Sequence, residues 1–250
     1  MQSNGADKEA FFLRNGQLIG VVIPALNEED AIGKVIAEIP GWVDAIVVAD
    51  NGSRDRTGEV ARRAGAQVVR EDEAGYGAAC LAGIAALPTC DIVVFLDGDY
   101  SDFPADMGLL VDPIIAGEAD LVVGSRVLGG AERGSLTPQQ VFGNWLATRL
   151  IGLIWGERFT DLGPFRAIRS STLQQIAMSD RDYGWTVEMQ VKAAKEGLRC
   201  TEAPVRYRKR IGASKISGTI GGTFKAGTKI LSVIGWHALA RPLANSARGD

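Results

Sequence analysis

The chain is poor in the residues that carry several common chemistries. It has one histidine, His237, set in a terminal apolar segment beside Trp236. Serine and cysteine hydrolases need a base beside the nucleophile, so both classes lose their usual partner here. Three cysteines, Cys80, Cys90 and Cys200, are widely spaced and form no CxxC pair. Neither a zinc site nor a disulfide framework is expected, and a reducing compartment fits. No run of eighteen apolar residues occurs, and the first residues lack the basic start and apolar core of a signal peptide, so no membrane span or leader is expected. The net charge of −3 gives no reason to expect nucleic acid as a partner. A glycine-rich phosphate loop is missing too. The first strand–helix turn, Pro24-Ala-Leu-Asn-Glu-Glu29, holds no glycine, and Gly75-Tyr-Gly77 lies past its strand with Cys80 where GxGxxG needs its last glycine. A dinucleotide-binding turn of that type is excluded.

What is present is a rhythm. Continuous Val/Ile runs of strand length at 18–23, 45–49, 67–70, 91–96 and 121–124 alternate with helical periodicity at 30–39, 56–64, 77–87 and 105–116. Unbroken apolar runs predict strands buried on both faces, and the alternation predicts a parallel sheet covered by helices. After residue 125 the rhythm changes to a helix at 139–154, a short strand at 165–168, a helix at 185–196, an extended basic stretch at 203–209 and a final helix at 219–239. The expectation is one α/β domain over 17–240, with a nucleotide-binding part to 125 and an acceptor-side part from 126. Residues 1–16 and 241–250 read as tails.

Ligands in such sheets sit at the carboxyl ends of the strands. Each expected strand is followed there by polar or acidic residues: Asn27 and Glu28, Asp50 and Asn51, Glu71 to Gly77, Asp97 to Asp102, then Ser125 and Arg126. Asp97 and Asp99 are two apart, so in an extended continuation they point the same way. Two hard carboxylates suit Mg2+ or Mn2+, completed by substrate phosphates. Asp102 is placed to cap the helix that begins near Pro104.

Four blocks then resemble the inverting glycosyltransferases of family 2, with the GT-A fold, and among them the polyprenyl-phosphate (dolichyl-phosphate) mannose or glucose synthases. Val22-Ile-Pro-Ala-Leu-Asn-Glu-Glu29 is similar to the family's PxxNE opening. Val47-Val-Ala-Asp-Asn-Gly-Ser-Arg-Asp-Arg-Thr57 is similar to VVDDGSxDxT, with Asn51 in place of the second aspartate. Val93 to Asp99 resembles the DxD strand. Gly124-Ser-Arg126, Thr160-Asp161 and Phe165-Arg166 resemble the GSR and TDxxxGFR elements, the latter one residue shorter here.

The resemblance implies a Rossmann-like nucleotide-sugar fold and a metal-dependent hexosyl transfer from a UDP- or GDP-sugar. It implies a metal at Asp97 and Asp99, and a donor nucleotide against Pro24, Asn27, Glu28 and Asp50, with the Gly75–Gly77 loop closing over it. Arg126 and the basic stretch from Arg206 to Lys215, with Arg210, Ser214 and Lys215 as its named members, are expected at the phosphates, because guanidinium forks match phosphate oxygens. The acceptor stays open. A hydroxyl acceptor needs a base, for which Asp161 is the first candidate and Glu188 the second. A polyprenyl phosphate is already an anion, and Asp161 would then orient an arginine or the sugar. A protein peripheral to the cytoplasmic membrane face is expected in that case, with 141–155 as its contact. A sugar-phosphate nucleotidyltransferase and a non-catalytic binding module are the remaining alternatives. The first is disfavoured by the acidic turn after the first strand.

Overall fold

The structure, a computed structural model, describes residues 14–212 and 220–239, the last helix by its backbone alone up to 226. Seven strands form a single sheet among the described residues: β1 (Ile19–Ala25), β2 (Ala45–Asp50), β3 (Gln67–Arg70), β4 (Ile92–Phe95), β5 (Leu121–Ser125), β6 (Arg166–Arg169) and β7 (Cys200–Pro204). Their order is β3-β2-β1-β4-β6-β5-β7. All run the same way except β6, which is antiparallel to both β4 and β5. Every residue of β1 and β4 is buried, as the absence of any polar side chain in either strand allows.

The helices are α1 (Ile32–Ala37), α2 (Thr57–Arg63), α3 (Tyr76–Ala86), α4 (Met107–Ile115), α5 (Arg126–Gly129), α6 (Pro138–Trp155), α7 (Ser170–Ile176), α8 (Trp185–Lys195) and α9 (Ile220–Leu239). They cover two cores, one on each face. Ile19, Val21, Ile23, Val94 and Leu110 lie in the first. Val22, Val93, Phe95, Trp185 and Met189 lie in the second, where Phe95 meets Trp185 edge-on at 5.9 Å. Each such side chain stabilises the fold by about 1.5–3 kcal/mol on burial.

Two features of this topology place the site. The chain leaves β1 toward β2 and β3 on one side, then returns to β4 on the other. The carboxyl ends of β1 and β4 therefore flank the switch point where such sheets open a crevice. Val22 pairs with Phe95 in that ladder, so Pro24 and Asp97, two residues on, stand side by side. In addition, the reversed β6 starts at the edge where its neighbours end. The segment before it, with Thr160 and Asp161, is thereby delivered to the same edge.

Two short helices, α5 and α7, escaped the sequence reading: each follows its strand with no intervening loop, so no turn residues mark its start. The last strand lies at 200–204, upstream of the expected 203–209. Its ladder with β5 fixes Leu121 opposite Cys200 and Ser125 opposite Pro204, and the basic stretch continues beyond the sheet. The cysteines are free, Cys80 buried and the other two half-buried. Among the described residues no helix is long and apolar enough to cross a membrane.

Candidate active site

A cavity of about 300 Å³ opens at the switch point, with Pro24, Glu28, Asn51, Tyr76, Asp97 and Arg210 in its walls. Its floor is acidic. Asp99 and Asp102 are almost fully buried. Asp97 is pushed up to about 6 by burial and by the Asp99 charge, against the opposing pull of Arg210, Tyr76 and Arg126. Asp102 is raised as well, by burial and then by Asp97 and Asp99. Its Oδ2 accepts from the Asp97 backbone N–H at 3.2 Å, while its Oδ1 has no hydrogen-bond partner among the described residues. Asp102 therefore does not cap the following helix as expected. Phe103 occupies the position before Pro104 without a side-chain cap, and the Asp102 carboxylate turns back under the strand end.

This acidic group fits a cation. Arg210 Nη1 sits 2.8 Å from Asp99 Oδ2 and places a positive charge where the carboxylates converge. Ser101 donates to the other Asp99 oxygen from both its hydroxyl, at 2.5 Å, and its backbone N–H, at 3.0 Å. Tyr76 donates its hydroxyl to Asp97 Oδ1 at 3.0 Å, and burial followed by the Asp97 charge holds that phenol well above its ordinary range. Among the described residues no set of three or more His, Cys, Asp or Glu side chains could hold a metal ion alone. A divalent ion on Asp97 and Asp99 would need further oxygens from a bound ligand, as small hard cations commonly do.

The basic stretch is more divided than its composition suggested. It runs beside the acidic loop, with Arg208 N–H donating to Ser101 O and Ile211 N–H to Asp99 O, both at 2.9 Å. Arg206 pairs with Asp106, Arg208 with Glu38 and Lys209 with Glu132. Arg208 also lies over the Tyr100 ring. These three cations fasten the segment to the domain, and Arg210 is the one brought to the cavity among those described. Ser214 and Lys215 lie outside the described residues.

One wall of the cavity is built by two loops in contact. Gly75 and Gly77 allow the backbone of 180–182 to lie against α3, because a Cβ at either would collide with the carbonyl of Arg181 or Asp180. Ala78 N–H donates to Arg181 O at 2.9 Å. Gly77 thus serves this close approach, and Gly75 is the one of the pair that lines the cavity. Glu188, expected as a second base, is placed elsewhere. Its carboxylate accepts from the Ser179 and Asp180 N–H groups and pairs with Lys192 at 2.8 Å. Burial would raise it, but Lys192 and Ser179 outweigh burial and hold it low. Glu188 anchors the 179–183 loop, which adds Asp182 and Tyr183 to the cavity wall.

Other expected donor-site residues divide similarly. Pro24 and Glu28 line the cavity. Asn27, at φ 53°, lies beside it, accepting from the Arg54 N–H at 2.8 Å and so joining the first two strand-end loops. Asp50 points to the loop behind, accepting from the Ser53 N–H at 2.8 Å. Asn51 is the member of that block in the cavity wall.

A second, larger cavity of about 790 Å³ lies beside α6. Arg126 and Asp161 stand at one end of it, joined by 2.8 and 2.7 Å bonds from Nε and Nη2, with a third to Asp161 from the Arg126 backbone N–H. Burial would lower the Arg126 guanidinium, but the Asp161 charge and hydrogen bonds outweigh it and hold its pKa above the ordinary value. The segment is well supported. Glu202 accepts from the backbone N–H of Thr160 and Asp161, Asn144 brackets it at Thr160 O and Leu162 N, and buried Arg166 takes up carbonyls of Leu162, Gly163 and Thr186. Burial lowers Arg166 to about 10. The Arg126 charge also pulls the Asp97 and Asp102 carboxyls down, against the burial that raises both. Arg149, Arg158, Val141, Trp145 and Leu153 line the remainder of the groove.

Sequence reasoning missed Tyr76, Asp182, Tyr183, Arg149 and Arg158. Tyr76 carried a signal, since it lies between the two glycines. Asp182 and Tyr183 follow a helix rather than a strand and carried none.

The comparisons with known proteins agree with this architecture. An uncharacterized glycosyltransferase of Mycobacterium tuberculosis is 37% identical over 222 residues, spanning 84% of this chain and 95% of its own length. The dolichyl-phosphate hexose transferase of Haloferax volcanii is 34% identical over 207 residues, 82% of this chain and 89% of its own. Glucosyl-3-phosphoglycerate synthase from Mycobacterium tuberculosis, solved with Mn2+, UDP-glucose and glycerol 3-phosphate, superposes with a TM-score of 0.69 at 25% identity, covering 89% of this chain and 80% of that one. The family described as Glycosyl transferase family 2 matches residues 20–177. With its mostly parallel sheet, its acidic switch-point cavity and these relatives, the chain belongs to glycosyl transferase family 2 and is a glycosyltransferase.

Proposed function

We propose that the protein transfers a hexosyl group from a nucleoside-diphosphate sugar to a polyprenyl phosphate, using Mg2+ or Mn2+ held by Asp97 and Asp99. The observation that carries this reading is the groove beside α6. It joins three arginines, Arg126, Arg149 and Arg158, to apolar walls from Val141, Trp145 and Leu153. A phosphate on a long hydrocarbon needs both. Leu153, Phe142 and Trp145 are more than half exposed, which extends the apolar wall outward along α6. An aromatic-rich helix face of this kind suits the boundary of a bilayer. The lipid phosphate named in the Haloferax relative supports the same acceptor class.

The donor would sit in the switch-point cavity, its diphosphate at the acidic pair and Arg210. A divalent ion there supplies charge neutralisation for the departing diphosphate. Arg210 at the donor cavity and Arg126 at the end of the groove, each already held in place by a carboxylate, would present oriented guanidinium N–H groups to the phosphates. Asp161 gives both carboxylate oxygens to Arg126. That arrangement suits an orienting role, and an anionic phosphate nucleophile requires no base.

A soluble phosphorylated acceptor is the second reading. It is supported by the glycerol 3-phosphate in the complex of the glucosyl-3-phosphoglycerate synthase neighbour. One experiment separates the two. Nucleoside diphosphate release is measured with UDP-glucose, UDP-galactose or GDP-mannose, with Mn2+ or Mg2+, and with polyprenyl phosphate, 3-phosphoglycerate or no acceptor. Release that depends on the lipid is expected. Release driven by phosphoglycerate would replace the lipid reading, and none with any donor would remove both.

A further inference from the structure

Asn51 stands where the resembled VVDDGSxDxT pattern has an aspartate, and its surroundings require the amide. Its Nδ2 donates to Glu73 O at 2.7 Å and to Glu71 O at 3.2 Å, while its Oδ1 accepts from the Gly75 N–H at 2.9 Å. Two carbonyls on one end and an N–H on the other fix which way the carboxamide points. All three bonds go to the 71–75 loop. That loop contributes Ala74 and Gly75 to the donor cavity and leads into Tyr76, which donates to Asp97. Its other side-chain ties to the domain, among the described residues, are ion pairs: Glu73 with Arg181 at 2.5 Å, both about half exposed, Glu71 with Arg181 at only 4.0 Å, and Asp72 with Arg70 at 2.7 Å, where Asp72 is largely exposed. Pairs that exposed hold little. Past the backbone bond of Glu71 N–H to Asp50 O, the Asn51 amide is therefore the main latch on this wall among the described residues.

We infer that Asn51 is a positioning residue for donor binding, whose carboxamide fixes the 71–75 loop as one wall of the nucleotide cavity, and that an aspartate here disrupts the wall. A carboxylate has no proton for Glu71 O or Glu73 O, so like-signed oxygens would face each other and the loop would be pushed outward. The opposite outcome follows if residue 51 reads the base directly, because a carboxylate accepts the ring N–H of uracil or guanine better than an amide oxygen does. The inference rests on the donor reading above, and the test keeps the two apart.

UDP and GDP are titrated with Mn2+ into wild type, Asn51→Asp and Asn51→Ala, and amide hydrogen exchange is followed over 73–78. For whichever nucleotide wild type binds, Asn51→Asp is expected to weaken binding roughly tenfold or more, as loss of satisfied polar contacts implies. Asn51→Ala should lose less, since it leaves no repulsion. Exchange at Gly75 should quicken in both, and turnover at saturating donor should stay within about twofold of wild type, so that KM moves and kcat does not. Binding by Asn51→Asp at or above wild-type strength, or a loss confined to one base, would overturn the inference. If Asn51→Asp does not fold, wild-type affinity and unchanged exchange in Asn51→Ala would overturn it equally. Failure of wild type to bind either nucleotide would sink the donor reading instead, and the exchange comparison would still decide whether Asn51 holds the loop.

Discussion

Replacing Asp97 by asparagine is expected to stabilise the metal-free protein while abolishing transfer. The Asp97 carboxyl rises from 3.8 to about 6 through burial and the neighbouring Asp99. Its native pKa exceeds its unfolded one, so the native state holds the proton more tightly. Between those two values the native state binds more protons than the unfolded chain, and stability falls as pH rises through that window. At about 1.4 kcal/mol per unit, the ionised carboxylate costs about 2–3 kcal/mol above pH 7. Asparagine removes that cost. Its Oδ1 can still accept from Tyr76, and its amide can donate toward the buried carboxylates. Urea unfolding of metal-free wild type and Asp97→Asn, at pH 4 and pH 7.5, measures the effect. The variant should be more stable by about 2 kcal/mol at pH 7.5, with the difference largely gone at pH 4. Excess Mn2+ with the bound nucleotide should reverse the order, because only wild type gains the ligand's binding energy. A variant less stable than wild type at pH 7.5 without metal would refute the claim that uncompensated charge is stored at this strand end.

Mn2+ affinity should fall as pH drops below about 6, approaching tenfold per unit, since the ion must displace the Asp97 proton; titration calorimetry across pH 5–8 checks this. Asp161→Asn should destabilise the fold by about 3 kcal/mol, because it leaves the mostly covered Arg126 without its buried carboxylate, and Asp161→Asn combined with Arg126→Met should recover part of that in chemical unfolding. Recovery of stability without activity fits an orienting pair, whereas loss of one limb of the kcat–pH profile in Asp161→Asn alone would make Asp161 a base. Phe142→Asp and Trp145→Asp should cut transfer to polyprenyl phosphate in vesicles at least tenfold while leaving nucleotide binding unchanged; equal transfer would detach this helix face from the acceptor.

The sequence by itself determined most of the sheet and the edge at which its polar loops gather. Five largely apolar runs, each followed by polar residues, placed five of the six codirectional strands within a residue or two and put Asp97, Asp99 and Arg126 at one rim, whereas β7 was expected several residues downstream of its place. Local pattern suffices there, because a strand buried on both faces must be continuous in apolar residues and its loops must emerge at its ends. The Asn-Glu, Asp-Asn-Gly-Ser and Asp-Gly-Asp blocks were legible for the same reason.

Tertiary structure decided what each side chain does at that edge. The reversal of β6 brings Asp161 to Arg126, and nothing within residues 160–166 encodes that pairing. Glu188 and the cations at 206, 208 and 209 looked chemically suitable but are neutralised by Lys192, Asp106, Glu38 and Glu132. Asp102 turned inward instead of capping, and Gly77 serves a loop that arrives from more than a hundred residues away. A charge's role depends on which counter-charge or carbonyl reaches it through space. That partner is set by strand order and loop packing, whereas the composition of a strand is set by burial alone.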